Sequence, residues 1–165
     1  MSAELKTNVM RTLEQKKIPY QAHYYPHTEG EAVDGASVAQ LLAKDPASVF
    51  KTLVAVGASR RNYVFVIPVL HELDRKKAAK AVGEKSVELI PVRELLPLTG
   101  YVRGGCSPVG MKKLFPTVFD ASALQQATVC VSAGKIGAQV ECAPDALLAL
   151  VRGKTAAITE QPPQE

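Results

Sequence analysis

The residues best suited to chemistry lie in the run 99–113, TGYVRGGCSPVGMKK. Gly104 and Gly105 lack a Cβ, so the backbone there can take positive φ and let a ligand approach its N–H groups. Pro108 limits Ser107 to extended geometry and stiffens the loop. Amides on such a loop suit an oxyanion or a phosphate, although the same letters also describe a tight turn between strands. Cys106 acts as a nucleophile only if a base such as His23 or His27 reaches it, and no orienting acid stands at a recognisable spacing. Lys51 is a second candidate. It interrupts the otherwise apolar run 48–56, where an ammonium either snorkels to water or meets an anion. The turn Gly134-Lys135-Ile136-Gly137 adds another lysine and two flexible backbone sites.

Several chemistries are excluded by pattern. No GxxxxGK[ST] is present, so Ser132-Ala133-Gly134-Lys135 is not a P-loop. Ser107 has Gly105 before it but Val109 after it, which rules out the GxSxG elbow. Gly134 to Gly137 match a KH-type GXXG by letter but lie between strands. No HExxH occurs, and Cys106, Cys130 and Cys142 form no CxxC pair, so neither a zinc site nor a disulfide framework is expected. No cofactor motif is seen. The cysteine usage suits a reducing cytoplasm, residues 1–17 carry charges without an apolar h-region, and no apolar run approaches the ~18 residues of a membrane span. The net charge of +4, from 20 basic and 16 acidic side chains, is compatible with a polyanionic partner without requiring one.

The elements that must hold these residues follow from periodicity and punctuation. Leu5, Val9 and Leu13 recur at helical spacing, with Glu4 before them and Lys16 and Lys17 after, and Pro19 ends that helix. Residues 20–25 read as a strand and 26–31 as a polar loop, which places His23, Tyr25 and His27 at a strand end. Asp34 or Ser37 caps a helix carrying Val38, Leu41 and Leu42, closed by Asp45-Pro46. Residues 51–68 read as a hairpin. Asp74 opens a helix over 75–82 that stops at Gly83. Its Arg75, Lys76, Lys77 and Lys80 offer a basic face to a phosphate backbone, as do Lys112 and Lys113. Further strands are expected at 87–90, 100–102, 116–119, 127–131 and 138–142, with helical stretches at 92–96, 122–126 and 145–151. Short strands in irregular alternation with helices do not fit βαβ repeats. The expectation is a mixed α/β domain over 1–155, with a curled or barrel-like mixed sheet and helices packed outside, followed by a flexible tail over 156–165.

Four motifs in order carry a resemblance: Phe50-Lys51-Thr52-Leu53, the run 99–110, KKLFPT over 112–117, and Val131-Ser132-Ala133-Gly134-Lys135. Together they resemble the YbaK/EbsC family of aminoacyl-tRNA deacylases, over roughly residues 5–152. The resemblance implies a fold related to the editing domain of bacterial prolyl-tRNA synthetases. It implies hydrolytic release of wrongly attached amino acids from tRNA, with cysteine on tRNA(Pro) as the best-known case. In that branch the substrate's own thiol attacks its ester carbonyl, giving a thiolactone and free tRNA, so no protein nucleophile is needed. By the same resemblance Lys51 meets the carbonyl oxygen or the terminal phosphate, Gly104 contacts the aminoacyl end, and Tyr25 and Thr52 line the pocket. Gly105, Cys106, Ser107, Gly134, Lys135 and Gln139 complete the implied substrate-binding set. The expected partners are the tRNA acceptor end and a prolyl-tRNA synthetase.

Two departures bear on specificity. Gln139 stands where the cysteine-specific branch has an acidic residue, and Asp34 stands where it has an aromatic. An amide holds a substrate ammonium less strongly than a carboxylate does. The sequence therefore supports three readings: a trans-editing deacylase, a non-catalytic module that binds tRNA or a synthetase, and a cysteine hydrolase using Cys106.

Overall fold

The computed structural model describes residues 6–160. Its first helix, α1 (Asn8–Gln15), begins where Thr7 Oγ1 accepts from the Met10 N–H at 3.2 Å, and it buries Val9, Met10 and Leu13. Strand β1 (Gln21–Tyr24) follows. Helix α2 (Gly35–Leu41) is capped by Asp34, whose carboxylate accepts from the Ser37 N–H at 3.0 Å and the Ser37 hydroxyl at 2.7 Å. Strands β2 (Phe50–Gly57) and β3 (Asn62–Pro68) make the expected antiparallel hairpin. Helix α3 (Arg75–Val82) runs from the Asp74 cap to Gly83 at φ +75°. Then come β4 (Val87–Leu89), α4 (Val92–Thr99), β5 (Thr117–Asp120), β6 (Val129–Ser132), β7 (Ala138–Cys142), α5 (Pro144–Val151) and β8 (Lys154–Ala156).

The strands form two sheets. One has the order β1-β7-β6 and is antiparallel throughout; the other, β4-β2-β3-β5-β8, is mixed, with β5 parallel to both β3 and β8. A parallel bridge between Val49 and Cys130 ties the start of β2 to β6 and joins the two sheets. Strand β3 shows why this arrangement holds. Val64 and Val66 enter a core with Val9, Leu13, Phe119 and Val131, while Tyr63, Phe65 and Ile67 enter a second core with Ala78, Val118 and Ile158. A strand covered on both faces needs a continuous apolar run, which residues 63–67 supply. Burying a side chain such as Phe65 contributes roughly 1.5–3 kcal/mol.

Two expectations are corrected. Residues 100–102 are not a strand, because α4 continues through Pro97 to Thr99. Pro97 brings no N–H to the helix ladder, and the position four residues before it, Arg93, is exposed, so water has access there. Thr99 Oγ1 donates to the Leu95 carbonyl at 2.8 Å and accepts from the Tyr101 N–H at 3.0 Å, and Gly100 closes the helix at φ +89°. The second correction concerns the chain after 155. Strand β8 pairs with β5, Ile158 is buried with its N–H donating to Asp120 Oδ1 at 3.1 Å, and Thr159 bridges Leu73. Packing therefore extends to Glu160, whose N–H donates to the Glu72 carbonyl at 2.9 Å. The expectations for Glu4, Leu5 and residues 161–165 fall outside the described residues.

Candidate functional site

A cavity of about 700 Å³ opens where the start of β2 faces the loops over 25–36 and 103–106 and the ends of β6 and β7. Tyr25, Lys51, Thr52, Gly104, Cys106 and Gln139 all line it, so six of the ten residues singled out in the sequence share one wall. Strand pairing explains part of this. Gln139 of β7 stands directly across from Ser132 of β6 and His23 of β1, which puts the Gln139 and Ser132 side chains next to each other on one face. A smaller apolar cavity of about 150 Å³, bounded by Val109, Met111, Phe115 and Leu150, has Lys113 as its sole charged lining residue.

The polar atoms of the larger cavity are underused. Among the described residues four buried side-chain oxygens have no hydrogen-bond partner, and three of them, Tyr25 OH, Thr52 Oγ1 and Gln139 Oε1, belong to lining residues. Leaving such a group unsatisfied costs about 1–3 kcal/mol, so three in one wall concentrate unspent hydrogen-bonding capacity beside this cavity. Burial also raises the Tyr25 phenol, which keeps it a neutral donor. Among the described residues Lys51 Nζ has a single loose partner, Glu72 Oε2 at 3.7 Å, whose side chain is 76 % exposed. A pair that solvated contributes at most about 1 kcal/mol, so the ammonium remains available to a ligand.

The glycine loop divides its labour. Gly104 sits at φ +87°, and a Cβ there would lie 2.8 Å from Ala32 Cβ across the cavity edge. The N–H groups of Gly104 and Cys106 make no hydrogen bond within the described chain, whereas the Gly105 N–H is spent on the Val102 carbonyl at 2.9 Å. Gly105, Ser107, Gly134 and Lys135 do not line the cavity. Gly105 packs against backbone, with a hypothetical Cβ 3.0 Å from Ile136 N, so it seats the loop on the 134–137 turn. Ser107 is fully buried and its Oγ accepts from the Val109 N–H at 3.2 Å. Gly134, at φ +97°, makes room for Asn8 and Tyr101. Asn8 Nδ2 donates to the Tyr101 hydroxyl at 2.9 Å, and that hydroxyl donates to the Val109 carbonyl, bracing the loop from α1. Lys135 is exposed.

The structure adds lining residues that lie within the quoted motifs but were given no role, chiefly Arg103 and Ser132. Arg103 is exposed and has no ion pair or hydrogen bond among the described residues. Its place beside the glycine pair was a usable signal; that of Ser132 required the β6–β7 register. Asp34 also lines the cavity, but its carboxylate is engaged by the Ser37 hydroxyl and N–H, which hold its pKa below the usual range.

Geometry disfavours Cys106 as a nucleophile. Burial pushes its thiol pKa up to about 12, and neither histidine is hydrogen-bonded to it. His23 Nε2 instead lies 2.7 Å from Glu141 Oε1, and His27 packs edge-on against Tyr25. Glu141 also receives Lys44 Nζ at 2.8 Å and the Thr128 hydroxyl. Burial alone would raise the Glu141 carboxyl, but these partners outweigh it and hold the pKa at about 2. The pairing of β1, β7 and β6 thus gathers His23, Glu141 and Cys130, with ligand-type atoms within 4.8 Å of one another, a cluster that sequence spacing did not reveal. Lys44 already supplies a positive charge to its carboxylate, so the cluster is an internally satisfied ion-pair network.

The chain belongs to the family of aminoacyl-tRNA editing domains, whose pattern matches residues 29–150. A protein of Enterococcus faecalis (strain ATCC 700802 / V583), provisionally named a Cys-tRNA(Pro)/Cys-tRNA(Cys) deacylase, EbsC, is 48% identical over 154 residues, covering 93% of each chain. The YbaK/EbsC resemblance is thereby established. Among solved structures, one described provisionally as a trans-editing enzyme for prolyl tRNA synthetase superposes with a TM-score of 0.81 at 25% identity, over 97% of this chain and 100% of the other. The protein APE2540 superposes at 0.82 with 24% identity, over 92% and 99%, and shows the shared fold. No helix among the described residues is long and apolar enough to cross a membrane.

Proposed function

We propose that this protein is a free-standing trans-editing deacylase that releases cysteine from Cys-tRNA(Pro). The observation that supports this most is the joining of one available ammonium, two free loop amides and three unpartnered buried oxygens around one cavity. An aminoacyl ester offers groups to match them. Its carbonyl oxygen approaches Lys51 Nζ and the Gly104 N–H, where the charge that develops on oxygen during attack is stabilised. Tyr25, Thr52 and Gln139 hold the amine and ester oxygens and fix the acyl chain for reaction.

With the Cys106 thiol protonated and unassisted, the nucleophile comes from the substrate. The cysteinyl sulfur attacks the ester carbon and the C–S bond forms. The C–O bond to the ribose then breaks, and the thiol proton passes to the leaving ribose oxygen. Neither a metal nor an organic cofactor enters this sequence. Arg103, unpaired at the rim, meets phosphate of the acceptor end. The protein acts in the cytoplasm, alongside prolyl-tRNA synthetase.

The experiment is a deacylation panel in which purified protein meets Cys-tRNA(Pro), Ala-tRNA(Pro), Cys-tRNA(Cys) and Pro-tRNA(Pro). The expected result is fastest loss from Cys-tRNA(Pro) with Pro-tRNA(Pro) spared. Binding of every tRNA without accelerated loss from any would replace this reading by a non-catalytic binding module.

A further inference from the structure

The cavity carries an unusual charge census for a site that takes an α-amino acid. Its charged lining residues are Lys51, Arg103 and Asp34. The one carboxylate among them is committed to the N-terminus of α2 through Ser37. No other carboxylate among the described residues belongs to the lining. Glu72 faces Lys51 at 3.7 Å, and Glu141, two residues along β7 from Gln139 and on the same face, is held by Lys44, His23 and Thr128. The inner wall instead presents Gln139, 6 % exposed, with its carbonyl oxygen buried and unpartnered. A glutamine side chain is neutral whichever way its amide is turned.

We infer that this cavity does not read the charge of the substrate's α-amino group, and that N-acylated aminoacyl esters are cleaved alongside free-amine ones. The inference rests on the deacylase reading above. A carboxylate in the wall would favour an ammonium strongly, because a charge-assisted hydrogen bond is roughly twice as strong as a neutral one. A neutral carbonyl accepts from an ammonium N–H or from an amide N–H, and its bias toward the ammonium is smaller than a carboxylate's because the acceptor carries no net charge. The two cations, Lys51 and Arg103, tilt the balance further away from an ammonium. Space is available, since about 700 Å³ far exceeds a small amino acid and admits an added acetyl group. Acylation leaves the cysteinyl sulfur and ester carbon untouched, so the same bonds form and break and the thiol proton still goes to the ribose oxygen.

The test compares Cys-tRNA(Pro) with the same charged tRNA acetylated on its amine, the thiol being protected as a disulfide during acetylation and then freed by reduction. The expected ratio of kcat/KM for the two lies within about tenfold, whereas Gln139→Glu raises the preference for the free amine by about tenfold or more. A wild-type preference for the free amine greater than about a hundredfold would overturn this inference alone and leave the deacylase reading standing. Loss of neither substrate would overturn both. If Gln139→Glu does not fold, the wild-type ratio still decides.

Discussion

Replacing Gly104 by alanine separates two physical costs that the site imposes on this position. An alanine at φ +87° carries the left-handed penalty, roughly 1–2 kcal/mol. Its Cβ would also lie 2.8 Å from Ala32 Cβ and 3.1 Å from Ala32 Cα. Carbon atoms rest about 3.5–4.0 Å apart, so one of the two backbones must move. Overpacking of this kind costs roughly 1–3 kcal/mol, and the exposed 26–34 loop, able to yield, keeps it near the lower end. The expected net destabilisation is about 2–4 kcal/mol, the sum of the conformational and steric parts. Gly83→Ala supplies the control: φ is +75° there too, but nothing lies within 4 Å of the new Cβ, so it pays the conformational part alone. Urea titration of both variants gives the difference as a shift in midpoint at constant slope. Because residues 32 and 104 both line the cavity, the displaced loop also alters it, and kcat/KM is expected to fall at least about tenfold in Gly104→Ala. Equal midpoints for the two variants with full activity in Gly104→Ala would refute the packing assigned to this loop.

Two further expectations follow from the site and its flanking network. Cys106→Ala keeps deacylation within about tenfold of wild type, or roughly 1.4 kcal/mol in barrier, as read by single-turnover kinetics; a collapse of activity in a folded variant would restore the cysteine nucleophile. Glu141 has its folded pKa depressed from 4.5 to about 2, so its stabilising effect is present above 4.5 and is lost as pH falls toward 2. Glu141→Gln is expected to lower stability at neutral pH by on the order of 2–3 kcal/mol and to flatten the acid limb of the stability profile; parallel acid limbs for the two proteins would contradict that network.

Much of this protein is legible in its sequence because local signals and tertiary needs agree. The double-faced run at 63–67, the Asp74 to Gly83 helix frame and the strand at 138–142 each carry their own pattern, and the structure matches them. Lys51 stands out since it breaks such a pattern. The segment after Thr99 misleads because the run from Thr99 to Val102 is locally extended in type, while a side-chain cap on Leu95 and a left-handed Gly100 end a helix there instead. Strand β8 has only three residues and owes its form to β5, a parallel partner distant in sequence that no local window contains. Site residues divide in the same way. Gly104 and Gly105 look alike as letters, but the Val102 carbonyl takes the N–H of one and leaves the other free. The His23, Lys44, Thr128 and Glu141 network and the pairing of Ser132 with Gln139 depend on register, which composition does not encode.

The measurement that bears most directly on the central claim is single-turnover deacylation of Cys-tRNA(Pro) by Lys51→Ala with the protein in excess. Removing the one available ammonium in the cavity is expected to slow the step by two to three orders of magnitude, about 2.7–4 kcal/mol, the loss typical of one oxyanion-stabilising donor. Stability is expected to stay within about 1 kcal/mol of wild type, since the solvated pair with Glu72 contributes little. Lys51→Arg is expected to recover only a small part of the rate, because a planar guanidinium does not reproduce a compact charge. Wild-type deacylation by a folded Lys51→Ala variant would contradict both the site and the mechanism built on it.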